Sequence, residues 1–197
     1  MFVVTATCTI PVQAKVILIL GDSLSAGFGI AQQQSWPALL ELRLTTQGYA
    51  YGVANISISG ETTRGGLSRL PLALKQHNPA IVIIALGAND GLRGLPLEQM
   101  HENLRTMIQQ CKETHAKVLL VGMQLPPNYG AEYTRKFRET FSDLARQQKI
   151  ALEPFLFAGF ADRQEAFQND GIHPTAKTQT LMLDNVWRSL QPLLMKH

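Results

Sequence analysis

The chain has no apolar run long enough to cross a bilayer. Among its 197 residues the main candidates, Val16–Leu20 and Ala80–Leu86, fall far short of the roughly 18 to 20 residues that a spanning helix needs, so no stable membrane insertion is expected. Cysteine is nearly absent: Cys8 and Cys111 are the only two, which argues against a disulfide framework and against a thiol nucleophile. There is no block of like charge either. The 18 basic and 15 acidic residues leave a formal charge of +3, scattered rather than gathered into a phosphate-binding stripe, and nucleic acid is not an expected partner. Repeats, low-complexity tracts and interdomain linkers are also missing. With 45% apolar and 17% charged residues, the composition is that of an ordinary globular chain rather than a disordered one.

The first fourteen residues, MFVVTATCTIPVQA, are small and apolar and end in Val12-Gln13-Ala14, a candidate small-residue cleavage site; the basic segment that normally precedes such a leader is missing. Residues 1–14 therefore read as a shortened signal-peptide remnant, with a plain N-terminal arm as the alternative, and residues 15–197 as a single domain. The expected destination is the periplasm or the exterior. Cys8 would leave with the leader, and Cys111 would remain alone.

From Lys15 onward, short apolar β-branched runs alternate with longer helical periodicity, the pattern of a parallel sheet covered by helices. The expected strands are Val16–Leu20, Gly52–Ser57, Ile81–Leu86, Lys117–Met123 and Ala151–Glu153. Between them, sets such as Trp36, Leu39, Leu40 and Leu44, or Leu104, Ile108 and Cys111, recur at the spacing of one buried helix face. Sites in open parallel sheets form where loops leave the carboxyl ends of strands, which directs attention to the loops beginning at Gly21, Ser57, Gly87 and Gln124.

The first of these loops holds Gly21-Asp22-Ser23-Leu24-Ser25. A serine hydroxyl is inert at neutral pH until a neighbouring base takes its proton, so a nucleophilic serine needs a rigid, exposed perch beside a base. Alone, the string equally describes a turn with a helix cap. The candidate base lies in Asp170-Gly171-Ile172-His173-Pro174, ahead of a last helical segment near Thr175–Leu190. There a carboxylate three residues from an imidazole can fix its tautomer and stabilise the imidazolium; the plainer reading is a helix cap and a surface histidine. Two further strings offer donors for an oxyanion: the glycine of Ser59-Gly60-Glu61-Thr62, and the side-chain amide of Asn89 in Gly87-Ala88-Asn89-Asp90. Each alone could be a turn. Four such strings at the carboxyl ends of strands and in the last loop point to acyl transfer.

GDSLS, the SISGET glycine, GAND and DGIHP, in that order, resemble the four blocks of the SGNH or GDSL hydrolases. LILGDSLSAG, NISISGETT, ALGANDGLRG, LPPNYG and NDGIHP are most similar to the bacterial branch described as multifunctional thioesterase, lysophospholipase and arylesterase. The resemblance spans nearly the whole chain from Lys15. It implies an α/β fold, a three-layer α/β/α sandwich with a five-stranded parallel sheet similar to flavodoxin. It further implies Ser23 as nucleophile, Asp170 and His173 as its triad partners, and an oxyanion hole from the Ser23 N–H, Gly60 and Asn89. No metal or cofactor is implied, and export is. One departure is Ala88, where relatives often carry a second glycine beside the oxyanion hole.

The implied reaction is hydrolysis of acyl esters and thioesters by a serine hydrolase, with a small acyl ester, a thioester or a lysophospholipid as substrate and a monomer as the acting form. Asp22, Leu24, Leu92, Leu95, Leu125, Pro126 and Ile172 are expected to touch the substrate. Phe155, Phe157 and Phe160 could line an acyl groove or pack beneath the last helix, and packing is the expectation. Three other readings stay open: a carbohydrate acetylesterase of the same fold, a non-enzymatic anion-binding module of flavodoxin shape, and a metal-dependent hydrolase using Asp22, Asp90, Asp170 and His173. The α/β-hydrolase alternative would need Gly-x-Ser-x-Gly, and the serine here sits in Asp22-Ser23-Leu24.

Overall fold

The apolar runs become strands because both of their faces have somewhere to be buried. In the computed structural model, which describes residues 14–195, five strands form one sheet: β1 (Lys15–Gly21), β2 (Tyr51–Asn55), β3 (Ile81–Ala85), β4 (Lys117–Val121) and β5 (Ala151–Glu153). All pairings are parallel and the order is β2-β1-β3-β4-β5. Central strands in such a sheet are covered on both sides: Ile17 to Leu20 in β1 and every residue of β3 are buried, whereas edge strand β2 is mostly half-buried. The expected leader, with Cys8, lies outside the described residues except for Ala14.

The helices are α1 (Ser23–Ala26), α2 (Trp36–Thr46), α3 (Thr63–His77), α4 (Ala88–Leu92), α5 (Leu97–Glu113), α6 (Ala131–Gln148) and α7 (Gln179–Leu190). Helix α2 packs on α7, while α3 packs on α5 and α5 on α6, giving helical layers on both faces of the sheet. The periodic sets are the seams: Trp36, Leu40 and Leu44 are fully buried in α2, and Leu104, Ile108 and Cys111 in α5. Among the described residues Cys111 has no disulfide partner, and burial pushes its thiol up to about 12.

Several strand ends differ from the sequence expectation by one or two residues, β4 for example ending at Val121 rather than Met123, and two boundaries differ for identifiable local reasons. Strand β2 stops at Asn55 because the Asn55 side chain accepts hydrogen bonds from the Ser57 N–H and hydroxyl at 3.1 and 2.6 Å, turning the chain out of the sheet. The last helix begins four residues late, at Gln179, because a tight 3-10 turn over Ala176–Thr178 precedes it. Helix α1, at four residues, is too short to show periodicity.

Strand order reverses between β1 and β3, and a crevice opens at the carboxyl ends of strands where this happens. The loops that leave β1 and β3 carry Ser23 and Asn89. A long segment after β5 brings His173 to the same crevice.

Candidate active site

Gly21 closes β1, and a Cβ there would meet the Ser25 and Ser57 hydroxyls at 2.7 and 2.9 Å, so the chain can bend sharply into α1. Asp22 caps that helix, its Oδ1 accepting from the Leu24 N–H at 3.0 Å. Ser23 is the first residue of α1, where the backbone N–H has no carbonyl behind it to bond. The Ser23 Oγ lies 2.9 Å from His173 Nε2.

On its other side the imidazole is held by Asp170, with Nδ1 2.7 Å from Oδ2. The Asp170 Oδ1 accepts from the N–H groups of Ile172 and His173 at 2.9 and 3.0 Å, a turn that Gly171 permits with φ +68. These backbone donors, with the imidazole, hold the Asp170 carboxyl down to about 2. It is therefore ionised wherever a neutral histidine could act as a base.

The third and fourth strings meet through Asn89, which lines the same cavity as Ser23, whereas Gly60 is not among the residues lining it. Asn89 donates its side-chain amide to the Glu61 carbonyl at 3.0 Å and, more weakly, to Asp22 Oδ2 at 3.4 Å. Gly60 sits in the preceding turn at φ +78, with its carbonyl accepting from Arg93 at 2.9 Å. Behind this pair the turn is fastened down. Asp90 accepts from the Thr63 N–H and hydroxyl at 2.9 and 2.5 Å, and Asn103 donates to the same hydroxyl at 3.0 Å. Arg69 holds the Glu61 carboxylate at 2.7 Å and the Ile56 carbonyl at 2.6 Å. Asp22 is buried beneath the serine, and desolvation pushes its carboxyl up to about 6 despite the opposing Leu24 hydrogen bond.

A cavity of about 480 Å³ opens on Ser23 and His173. Of the residues expected to touch a substrate, Asp22, Leu24, Leu92, Leu125, Pro126 and Ile172 line it, as do Ser23, Asn89 and His173. Leu95 does not. Gly94, at φ +64, and a bond from the Leu95 N–H to the Asp90 carbonyl at 3.0 Å fold the loop back over α4, leaving the Leu95 side chain exposed. The aromatic cluster also divides differently from the sequence reading. Phe160 and Leu156 are buried, and the Asn185 amide of α7 bonds the Leu156 and Ala158 carbonyls at 2.9 and 3.1 Å. Phe155 and Phe157 instead join Phe167, Ala161 and Met123 in the cavity wall. The cluster was visible as apolar residues, but which rings face the crevice depends on the path of the chain after β5.

Residues 19–181 match the GDSL-like Lipase/Acylhydrolase family. The chain belongs to that family. Among curated proteins, this family member is 49% identical to "Esterase TesA" of Pseudomonas aeruginosa over 92% of its own length and 90% of the relative's. It is 41% identical to "Thioesterase 1/protease 1/lysophospholipase L1" of Escherichia coli strain K12, over 92% of its length and 86% of the relative's. The crystal structure of a TesA superposes on it with a TM-score of 0.90 at 48% identity, covering 91% of this chain and all of that one. This GDSL-family protein is thus a hydrolase of the esterase and thioesterase type, on the five-stranded parallel α/β/α scaffold that the resemblance implied.

The geometry also bears on the other readings. Among the described residues, no group of three or more His, Cys, Asp and Glu side chains is arranged to hold a metal ion. Asp90 is engaged by Thr63, and Asp170 by the imidazole and two backbone amides. No helix among the described residues is long and apolar enough to cross a membrane.

Proposed function

We propose that the chain hydrolyses carboxylic esters and thioesters of acyl chains through an acyl-enzyme on Ser23. The observation that carries this reading is the unbroken run from Ser23 Oγ to His173 Nε2 and from His173 Nδ1 to Asp170, at 2.9 and 2.7 Å. In the first half-reaction His173 takes the Ser23 proton as Oγ bonds to the substrate carbonyl carbon. The carbonyl oxygen becomes an oxyanion, for which the N–H groups of Ser23 and Gly60 and the Asn89 amide are the donors. The tetrahedral species collapses when His173 passes its proton to the departing alcohol or thiol. Water then repeats the sequence on the acyl-enzyme, its proton going to His173 and finally back to Ser23, and the fatty acid is released. Asp170 keeps the imidazole in the right tautomer and offsets the charge of the imidazolium.

The apolar cavity supports an acyl chain as the group held, and a thioester or lysophospholipid as well as a simple ester as the substrate. Asp22, Leu24, Leu92, Leu125, Pro126 and Ile172 would contact it. Export through the leader-like residues 1–14, with a single domain over residues 15–197 acting as a monomer, completes the proposal. The test is release of p-nitrophenol from esters of increasing acyl length, and of CoA from acyl-CoA, by the native protein, Ser23→Ala and His173→Ala. Turnover that falls by several orders of magnitude in both variants is expected. Full activity in either one would remove the mechanism, and activity confined to acetylated sugars would move the assignment to a carbohydrate acetylesterase.

A further inference from the structure

Ser23 and Asp170 grip the imidazole of His173 at its two nitrogens, at 2.9 and 2.7 Å. Two hydrogen bonds on opposite sides of a ring define a line through it, and the tilt of the ring about that line is left to whatever touches its faces. One face is covered by Phe28, with ring centroids 4.4 Å apart and planes inclined by 35°. Phe28 is 49% exposed, so it contributes little to the core. It does not line the acyl cavity either.

The loop carrying Phe28 is fastened to the loop carrying His173. The Gln168 side-chain amide donates to the Phe28 carbonyl at 2.8 Å and to the Pro174 carbonyl at 3.2 Å, and the Gln168 backbone N–H donates to the His173 carbonyl at 2.7 Å. Gly29, at φ +74, lets Gln168 come this close, because a Cβ at that position would collide with its side-chain oxygen. One glutamine thus holds the phenyl ring and the imidazole in register across a sequence separation that neither loop could bridge alone.

We propose that Phe28 is a positioning residue for His173: its ring sets the tilt at which the imidazole meets Ser23, and its π face stabilises the imidazolium formed when His173 takes the serine proton. The inference rests on the Ser23–His173–Asp170 reading above. A cation over an aromatic face at a partly exposed site is a modest attraction, and it acts only while the imidazole is charged. It therefore belongs to the transition state rather than to substrate binding.

The test uses the full chain with Phe28→Ala, Phe28→Leu and Phe28→Tyr. A short p-nitrophenyl ester gives kcat and KM, a small phosphonate ester gives the rate of covalent capture of the serine, and thermal unfolding gives stability. Phe28→Ala is expected to lower kcat about tenfold with KM nearly unchanged and to slow phosphonylation by a similar factor. Phe28→Tyr is expected to restore both rates, and Phe28→Leu to restore them only in part. A raised KM at unchanged kcat would make Phe28 a substrate wall and overturn the proposal. So would rates unchanged in all three variants, equal rates in Leu and Tyr, or losses that merely follow a lowered Tm. Failure of the triad reading looks different: Ser23→Ala would then keep its turnover, or the phosphonate would not label Ser23.

Discussion

Asp22 shows how burial tunes one residue of the site. Its carboxyl rises from 3.8 to about 6, chiefly through desolvation, so the folded state holds this proton more tightly than the unfolded chain does. Stability from this group is greatest below about pH 4 and is lost as pH rises through 6, by about 3 kcal/mol in all. Asp22→Asn keeps an oxygen to cap Leu24 and removes the titration. Urea unfolding of the two proteins is expected to give similar stabilities near pH 4, with the variant gaining between pH 4 and 6 and staying ahead above it. A difference that does not change with pH would show that Asp22 is not carrying the effect. Asn89 is the complementary case: its amide is already anchored on Glu61, and in the proposed mechanism it gains its further bond only as the oxyanion forms. Asn89→Ala is expected to lower kcat by about 10² to 10³ while KM barely moves, measured with a saturating short ester.

At the scale of elements, the arrangement rests on the clamp between the start of α3 and α4. Thr63 and Asp90 tie the turn of Gly60 and Glu61 to the helix that presents Asn89, and Asn103 of α5 locks the hydroxyl from behind. Thr63→Val has nearly the same volume but leaves a buried carboxylate and the Asn103 amide each short of a partner, at a cost of about 1 to 3 kcal/mol. Denaturant unfolding is expected to show that loss, and kcat is expected to fall as the two donor-bearing segments loosen. A Thr63→Ser variant should recover most of both, and equal kcat in Thr63→Val and the native protein would show that the clamp has no part in catalysis. This network was only partly legible: Asp90 and Thr63 stand beside recognisable strings, but nothing in their spacing pairs residues that are 27 positions apart.

At the scale of the whole molecule, the site exists because of strand order. A sheet reversing between β1 and β3 opens a crevice flanked by the Ser23 and Asn89 loops, and the segment after β5 closes it with His173, Phe155 and Phe157. The resulting cavity, about 480 Å³ and largely apolar in its lining, carries a prediction about substrate length. Each further methylene buried should lower KM by about fourfold, from about 0.8 kcal/mol per CH₂, until the cavity is full. A series of p-nitrophenyl esters would show this as a slope followed by a plateau, and KM independent of length from the first members on would mean that the acyl chain lies elsewhere.

The sequence by itself determined the alternation of strands and helices, because apolar periodicity records which faces are buried, and it singled out Ser23, Asn89, Asp170 and His173 as candidates, because the proposed chemistry leaves few substitutes within the four strings that carry them. Tertiary structure decided what depends on the path of loops between those fixed points. It turned Leu95 out to solvent, placed Phe155 and Phe157 in the cavity wall, and set Phe28 against His173 across 145 residues of chain. Such contacts are made by side chains whose neighbours in sequence say nothing about them, since the latch formed by Gln168 and the clamp formed by Thr63 and Asp90 come into being only once the sheet has brought their elements together.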